Sequence, residues 1–248
     1  MKTEEIEQLE KKAKETRRKF LDLLMKEKEG HPGGSLSEIE VLIALFNRIM
    51  NKEDKFILSK GHSCYPLYLL LQEKGFNPAI KPHPDIDIKN GIYCTSGSLG
   101  HGFPMALGMA LARKLKNKPG KIYVLIGDGE CQEGTTWESS LITSHYNLDN
   151  LVVIVDNNKL QALDKTDNII SLGSLKEKFL AFGFHVEEIN GHNFQELIEA
   201  LGKNPGKPYV IIANTIKGKG ISYMENDPKW HTRLPTEEEL KIAYKELS

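Results

Sequence analysis

Three cysteines, Cys64, Cys94 and Cys131, are all that 248 residues contain, and no two form a C-x-x-C pair. So sparse a set excludes a disulfide-stapled scaffold and a thiolate zinc site, and it implies reduced thiols. No stretch reaches the roughly 18 apolar residues of a membrane span. The N-terminus, Met1-Lys2-Thr3-Glu4-Glu5, lacks the apolar core of a secretory leader. Excess charge is missing too: 33 Lys and Arg stand against 34 Asp and Glu, a formal net charge of −1. That removes the electrostatic case for a nucleic-acid partner or a membrane surface. The expected location is cytoplasmic. No internal repeat, low-complexity tract or obvious interdomain linker stands out.

What is present is alternation of helical and strand patterns. Residues 3–28 read as a helix, with Thr3 as a cap, Glu4 and Glu5 at its positive end, and basic residues later. Its apolar stripe (Ile6, Leu9, Ala13, Phe20, Leu21, Leu24) is broken between Ala13 and Phe20. Gly30-His31-Pro32-Gly33-Gly34 stops it, and Ser35-Leu36-Ser37-Glu38 resembles a capping box that opens a helix to about Met50. A strand at 56–58 and a helix at 64–74 follow. Pro78, Pro82 and Pro84 mark 76–91 as an irregular connection. A Gly-rich turn, Gly97-Ser98-Leu99-Gly100-His101-Gly102, leads into a helix ending near Leu115. Strands at 122–126, 151–155, 184–189 and 209–213 then alternate with helices at 133–147, 174–182 and 193–201. A last helix starts near Thr236, with Glu239 completing a capping box. Such repetition predicts parallel pairing and right-handed crossovers. The expected fold is α/β, a doubly wound, mainly parallel sheet with helices on both faces, in a single domain over 1–248.

Gly127-Asp128-Gly129 follows one strand, and Asp156-Asn157-Asn158 ends the next, so Asp128 and Asn158 lie 30 residues apart. In a doubly wound sheet both emerge at carboxyl ends of strands, where ligands bind. A hard cation such as Mg²⁺ takes oxygen ligands and shares them with phosphate oxygens. Asp128 offers a charged oxygen, Asn158 a neutral one, and the Leu160 carbonyl a third. Gly127 and Gly129 admit a diphosphate close to the backbone, and the helix after Glu130 aims N–H groups at it. A Gly-Asp-Gly turn alone often only connects a strand to a helix; the two halves at this spacing form a thiamine diphosphate signature.

Gly127-Asp128-Gly129-Glu130-Cys131-Gln132-Glu133-Gly134 and Asp156-Asn157-Asn158-Lys159-Leu160 resemble transketolase. So do His31-Pro32-Gly33-Gly34, Leu58-Ser59-Lys60-Gly61-His62 and Thr95-Ser96-Gly97-Ser98-Leu99-Gly100, in the family's order over nearly the whole chain. The resemblance implies thiamine diphosphate and a divalent metal, Mg²⁺ or alternatively Ca²⁺ or Mn²⁺, held by Asp128, Asn158 and the Leu160 carbonyl. It implies diphosphate contacts from Gly129 and His231, Leu99 near the thiazolium, and Gly97, Gly127 and Glu130 in the cofactor-binding turns.

Each histidine in a Gly/Pro-rich turn has an ordinary surface or structural reading. By resemblance His31 and His62 line a sugar channel, and His83 matches another channel position after a one-residue shift. Neutral imidazole both donates and accepts, which suits polyol recognition and proton transfer. His101 stands where many relatives have glutamine, and two roles stay open, cofactor contact or helix cap. Glu133 and Glu138 read as exposed glutamates on sequence alone; the resemblance puts them at a subunit interface joining paired active sites. Trp137 belongs to that interface or to the core.

Transketolases continue into pyrimidine-binding and C-terminal domains, whereas this sequence ends at Ser248. The resemblance therefore implies an N-terminal subunit that transfers a two-carbon ketol unit from a ketose to an aldose, on sugar or sugar-phosphate substrates. Its partner would be a separate C-terminal subunit in an α2β2 assembly. The segment from His62 to His83 is shorter than in full-length transketolases, which leaves room for an unusual sugar. Two other readings are the α subunit of a 2-oxoacid dehydrogenase, disfavoured by the His31 and His62 motifs, and a non-catalytic subunit, which has no need of Asp128, Asn158 and the histidines.

Overall fold

A computed structural model describes residues 3–248. The chain opens with α1 (Thr3–Glu27), α2 (Pro32–Ser37) and α3 (Ile39–Ala44), then β1 (Lys55–Leu58), α4 (Tyr65–Glu73) and α5 (Gly102–Leu115). It continues through β2 (Ile122–Gly127), α6 (Gly134–His145), β3 (Leu151–Asn157), α7 (Thr166–Ile169) and α8 (Leu175–Ala181). Last come β4 (His185–Asn190), α9 (Phe194–Leu201), β5 (Tyr209–Asn214) and α10 (Glu237–Glu246).

The five strands form one sheet in the order β1-β2-β3-β5-β4, and every pairing is parallel. Central strands of such sheets are covered on both faces, which is why they read as unbroken β-branched runs. In β3, Val152 and Ile154 point into one core with Phe20, Leu42, Tyr68 and Leu197 from the first helical layer. Leu151, Val153 and Val155 point into the other, with Phe103, Ala106 and Phe179 from the second layer. The period-2 side-chain alternation of a strand thus builds both cores at once. Register pairs Gly127 with Asp156, so β2 and β3 end side by side.

The gap in the apolar stripe of α1 is filled by Thr16 and Arg17, both buried. Arg17 is tolerated there because its Nη2 donates to both carboxylate oxygens of Glu40, at 2.7 and 2.9 Å. Among the described residues Thr3 already lies within α1 rather than capping it. The helix expected from Ser35 to Met50 is a correction. It starts three residues earlier, with Pro32 in the first turn, where its missing N–H costs nothing. It breaks at Glu38 and ends in a π-helical turn at Leu45–Ile49. Ser35 sits buried inside α2 and the capping box does not form. The box expected at Thr236 and Glu239 does form.

Glu38 is diverted into a buried ionic cluster. Lys60, 3% exposed, places Nζ 2.7 Å from Glu38 Oε2 and 2.7 Å from Asp156 Oδ2, and donates to the Gly34 carbonyl at 2.8 Å. Ser37 Oγ lies 2.6 Å from the same Asp156 oxygen, and Ser63 Oγ donates to Glu38 at 2.8 Å. Burial works against charge on Lys60, but Asp156 and Glu38 outweigh it and hold the ammonium protonated. Burial pushes Glu38 up to about 7, while Lys60 beside it holds Asp156 below the usual carboxylate range despite burial. Lys60→Met strands Asp156 as a buried unpaired charge and should cost about 3–5 kcal/mol in urea unfolding. Glu38→Gln, which replaces a half-neutral group, should cost less. An unchanged midpoint in Lys60→Met would show that the cluster does not hold the fold.

Candidate functional site

The carboxyl ends of the strands open onto a cavity of about 290 Å³. Each wall comes from a different turn. The end of β2 supplies Gly127 and Asp128, followed by a single 3-10 turn, Gly129–Gln132. Beyond β3 come Asn158 and Leu160, with Lys159 between them in a left-handed conformation at φ +61°. His31 precedes α2, His62 lies in the turn after β1, and His83, Gly97 and Leu99 come from the irregular segment before α5. Lys217 follows β5, and His231 ends a short turn at Pro228–His231.

Four of the sequence-expected histidines meet here. The ring of His31 lies 5.1 Å from that of His62, 5.6 Å from His83 and 5.1 Å from His231, and His62 and His231 are 5.3 Å apart. A Cβ on Gly97, at φ +131°, would sit 2.5 Å from the His83 ring, so glycine is what admits that ring. Burial, reinforced by His83, pulls His31 down to about 4, and burial with Lys217 does the same for His231. Burial and Lys60 hold His62 well below its ordinary value. These three rings are neutral at neutral pH, each with one donor and one acceptor nitrogen. His31 Nδ1 is buried without a hydrogen-bond partner among the described residues.

Asp128 is 4% exposed. Its Oδ1 accepts from Gly129 N at 2.9 Å and its Oδ2 from Thr166 Oγ1 at 2.9 Å. Among the described residues it has no cation within ion-pair distance, and burial pushes it up to about 6. Asn158 Oδ1 accepts from Leu160 N at 3.1 Å and its Nδ2 donates to Asp156. Glu130, 1% exposed, ties the site's turns together, accepting from Ser59 Oγ at 2.5 Å, Gly100 N at 2.8 Å and Gly127 N at 2.9 Å.

Lys217 has no distinguishing mark in the sequence. It is 2% exposed and donates to the Gln161 carbonyl at 2.9 Å, with His231 Nδ1 at 3.2 Å and the Leu160 carbonyl at 3.4 Å. No carboxylate of a described residue pairs with it, and burial, with Lys60 nearby, pulls it down to about 8. A lysine in Lys217-Gly218-Lys219-Gly220 reads as a solvated loop residue. Its place just past a strand's carboxyl end was the available signal.

Other expected residues lie outside the cavity lining. His101 stays exposed, with Nδ1 3.1 Å from the Leu99 carbonyl and 3.3 Å from Ser98 Oγ, and makes no side-chain cap to α5. Glu133 and Glu138 are exposed on and just before α6. Trp137, which the sequence allows at an interface or in the core, turns inward: it stacks on Phe182 at 5.5 Å, lies 5.2 Å from Phe179 and donates to the Cys131 carbonyl.

The profile described as "Transketolase, thiamine diphosphate binding domain" matches residues 9–247. The chain belongs to the transketolase family. It is 38% identical to an apulose-4-phosphate transketolase subunit of Phocaeicola vulgatus, over 98% of this chain and 95% of that subunit. It is 41% identical to a 6-deoxy-6-sulfo-D-fructose transketolase subunit of a Clostridium species, over 88% of each. The solved transketolase of Campylobacter jejuni superposes with a TM-score of 0.85 at 31% identity, covering 97% of this chain but 43% of that one. The chain is thus a counterpart of the separate N-terminal subunits of split transketolases, a thiamine diphosphate-dependent ketol transferase component. It spans less than half the length of the solved transketolase. Among the described residues no helix is long and apolar enough to cross a membrane.

His31 in the folded chain protonates only near pH 4, whereas in the unfolded chain it does so near 6.5. Stability from this group is full above 6.5 and is lost as pH falls toward 4, because the unfolded state takes up the proton first. His31→Gln should flatten the fall of melting temperature between pH 6.5 and 4. An unchanged profile would mean that the ring is solvated.

Proposed function

We propose that the cavity is the diphosphate-and-metal half of a thiamine diphosphate site, completed by a second polypeptide. The observation that carries this is a pair of buried ionisable groups of opposite sign on one cavity wall, Asp128 and Lys217, neither within ion-pair distance of a counter-charge among the described residues. Buried charges persist when paired or bound to a metal. A divalent cation supplies what Asp128 lacks, and a diphosphate supplies what Lys217 lacks. Asp128, Asn158 and the Leu160 carbonyl would hold the metal, an all-oxygen set suited to Mg²⁺.

Lys217, His231 and the backbone at Gly127 and Gly129 would hold the diphosphate, with Gly97 and Glu130 shaping the turns and Leu99 flanking the thiazolium. When bound, the cofactor would supply the nucleophilic carbon and electron sink for ketol transfer, and these residues would orient it. The neutral rings of His31 and His62 donate to and accept from sugar hydroxyls, and His83 lines the same channel. With ordinary pKa values displaced downward, His31 and His62 give up a transferred proton readily.

The second chain carries the pyrimidine-binding half and meets α6, in an α2β2 assembly. Beside Glu138, α6 exposes Leu141 and Ile142, and Tyr146 just past its end is exposed too, an apolar patch that a partner would cover. The names of the two relatives specify ketoses ending in phosphate or sulfonate. A ketose with an anionic terminus is the donor class proposed here, in a single diphosphate-type domain working in the cytoplasm.

Asp128→Ala should abolish Mg²⁺-dependent thiamine diphosphate binding, measured by calorimetry on the reconstituted complex, with the fold intact. Unchanged affinity would remove Asp128 from the site. Ketol transfer should appear when this chain is mixed with a chain carrying the pyrimidine-binding domain, and not with either alone. Full turnover by this chain alone would refute the split site.

A further inference from the structure

His192 lies in the turn between β4 and α9, outside the cavity lining, yet its ring is bonded at both nitrogens. Nε2 accepts from the backbone N–H of Ile216 at 2.8 Å. The proton of the ring therefore sits on Nδ1, which faces Glu40 Oε2 at 3.2 Å. Glu40 is anchored by the two hydrogen bonds from Arg17, and Arg17 Nε donates onward to the Lys219 carbonyl at 2.8 Å. A chain of buried Arg17 and Glu40 with partly buried His192 thus grips the segment after β5 on both sides of Lys217. Lys217 itself has no slack: its Cε and Cγ lie 2.8 and 2.9 Å from where a Cβ on Gly33 would stand. Its own carbonyl accepts from Asn226 N at 2.9 Å, and Gly218 N donates to the Gly33 carbonyl at 2.9 Å. Among these tethers, the Ile216 bond is the one made by a side chain to the backbone N–H of the residue directly preceding Lys217.

We propose that His192 is a positioning residue for cofactor binding: by holding the Ile216 peptide from the far side of the sheet's edge, it sets the place of the Lys217 ammonium in the cavity. This rests on the reading of Lys217 as the diphosphate's cation. The tautomer matters, because only an Nε2 free of hydrogen accepts from Ile216 while Nδ1–H donates to Glu40. Asparagine keeps a donor toward Glu40 but is too short to reach Ile216. Glutamine keeps an acceptor at the longer reach.

The test is calorimetric titration of Mg²⁺ and thiamine diphosphate into the reconstituted complex, with melting temperature read in parallel. His192→Asn should weaken the cofactor about tenfold, the scale of lost outer-shell partners. His192→Gln should restore affinity close to the wild type. In a Lys217→Met background, His192→Asn should add nothing further, since residues acting as one unit are non-additive. Full additivity, or equal loss in the Asn and Gln variants, overturns the proposal. If Lys217→Met weakens binding and His192→Asn does not, the site reading stands and the positioning role falls. If Lys217→Met itself leaves affinity unchanged, the reading of Lys217 fails and this inference fails with it. The imidazole nitrogen spectrum of the wild-type complex decides independently of any variant's folding. The Nδ1–H tautomer at His192 supports the proposal, and an Nε2–H tautomer refutes it.

Discussion

One ammonium group organises the floor of the cavity. Lys60 leaves water to bridge Glu38 and Asp156, and through them it fastens β1, the break between α2 and α3, and the end of β3. Such a cluster gains little net stability over an apolar core of equal volume, since desolvation cancels most of the attraction. Its effect is geometric. Asp156 is directly in register with Gly127 and two residues before Asn158, so fixing its carboxylate fixes the backbone of both strand ends that lead to Asp128 and Asn158.

Most of the sheet is visible in the sequence because β2, β3 and β5 are buried on both faces and read as near-continuous apolar runs rich in β-branched residues. The strand-end positions of Asp128 and Asn158 follow from that. The segment at Pro32–Ser37 is harder to read, because Pro and Gly normally punctuate, whereas here proline starts a helix and Gly33 lets Lys217 pass. Arg17 and Lys217 are opaque for a different reason. A charged residue at a core position makes sense only when its partner is known, and Glu40 lies 23 residues from Arg17, while the partners of Lys217 lie 14 to 57 residues away. Trp137 cannot be placed by pattern, since the aromatic residues that receive it belong to α8 and the turn beyond.

The four-histidine cluster depends on the same economy of burial. Packed imidazoles repel one another once charged, and the neutrality of His31, His62 and His231 spares the cluster that repulsion. Lys60 and Lys217 add to that pressure from below, so the cavity carries positive charge on fixed ammonium groups and keeps its imidazoles free to exchange hydrogen bonds.

The fit of Gly33 against Lys217 and of Gly97 against His83 has an evolutionary consequence. Where backbone touches side chain with no space for a methyl group, the inner cavity cannot be retuned one substitution at a time. Variation is left to the parts of the segment between α4 and α5 away from His83 and Gly97, and to whatever surface closes the mouth. A lineage can therefore move from one sugar to another by rewriting its rim and its companion polypeptide, while the machinery for the cofactor is inherited as a fixed part.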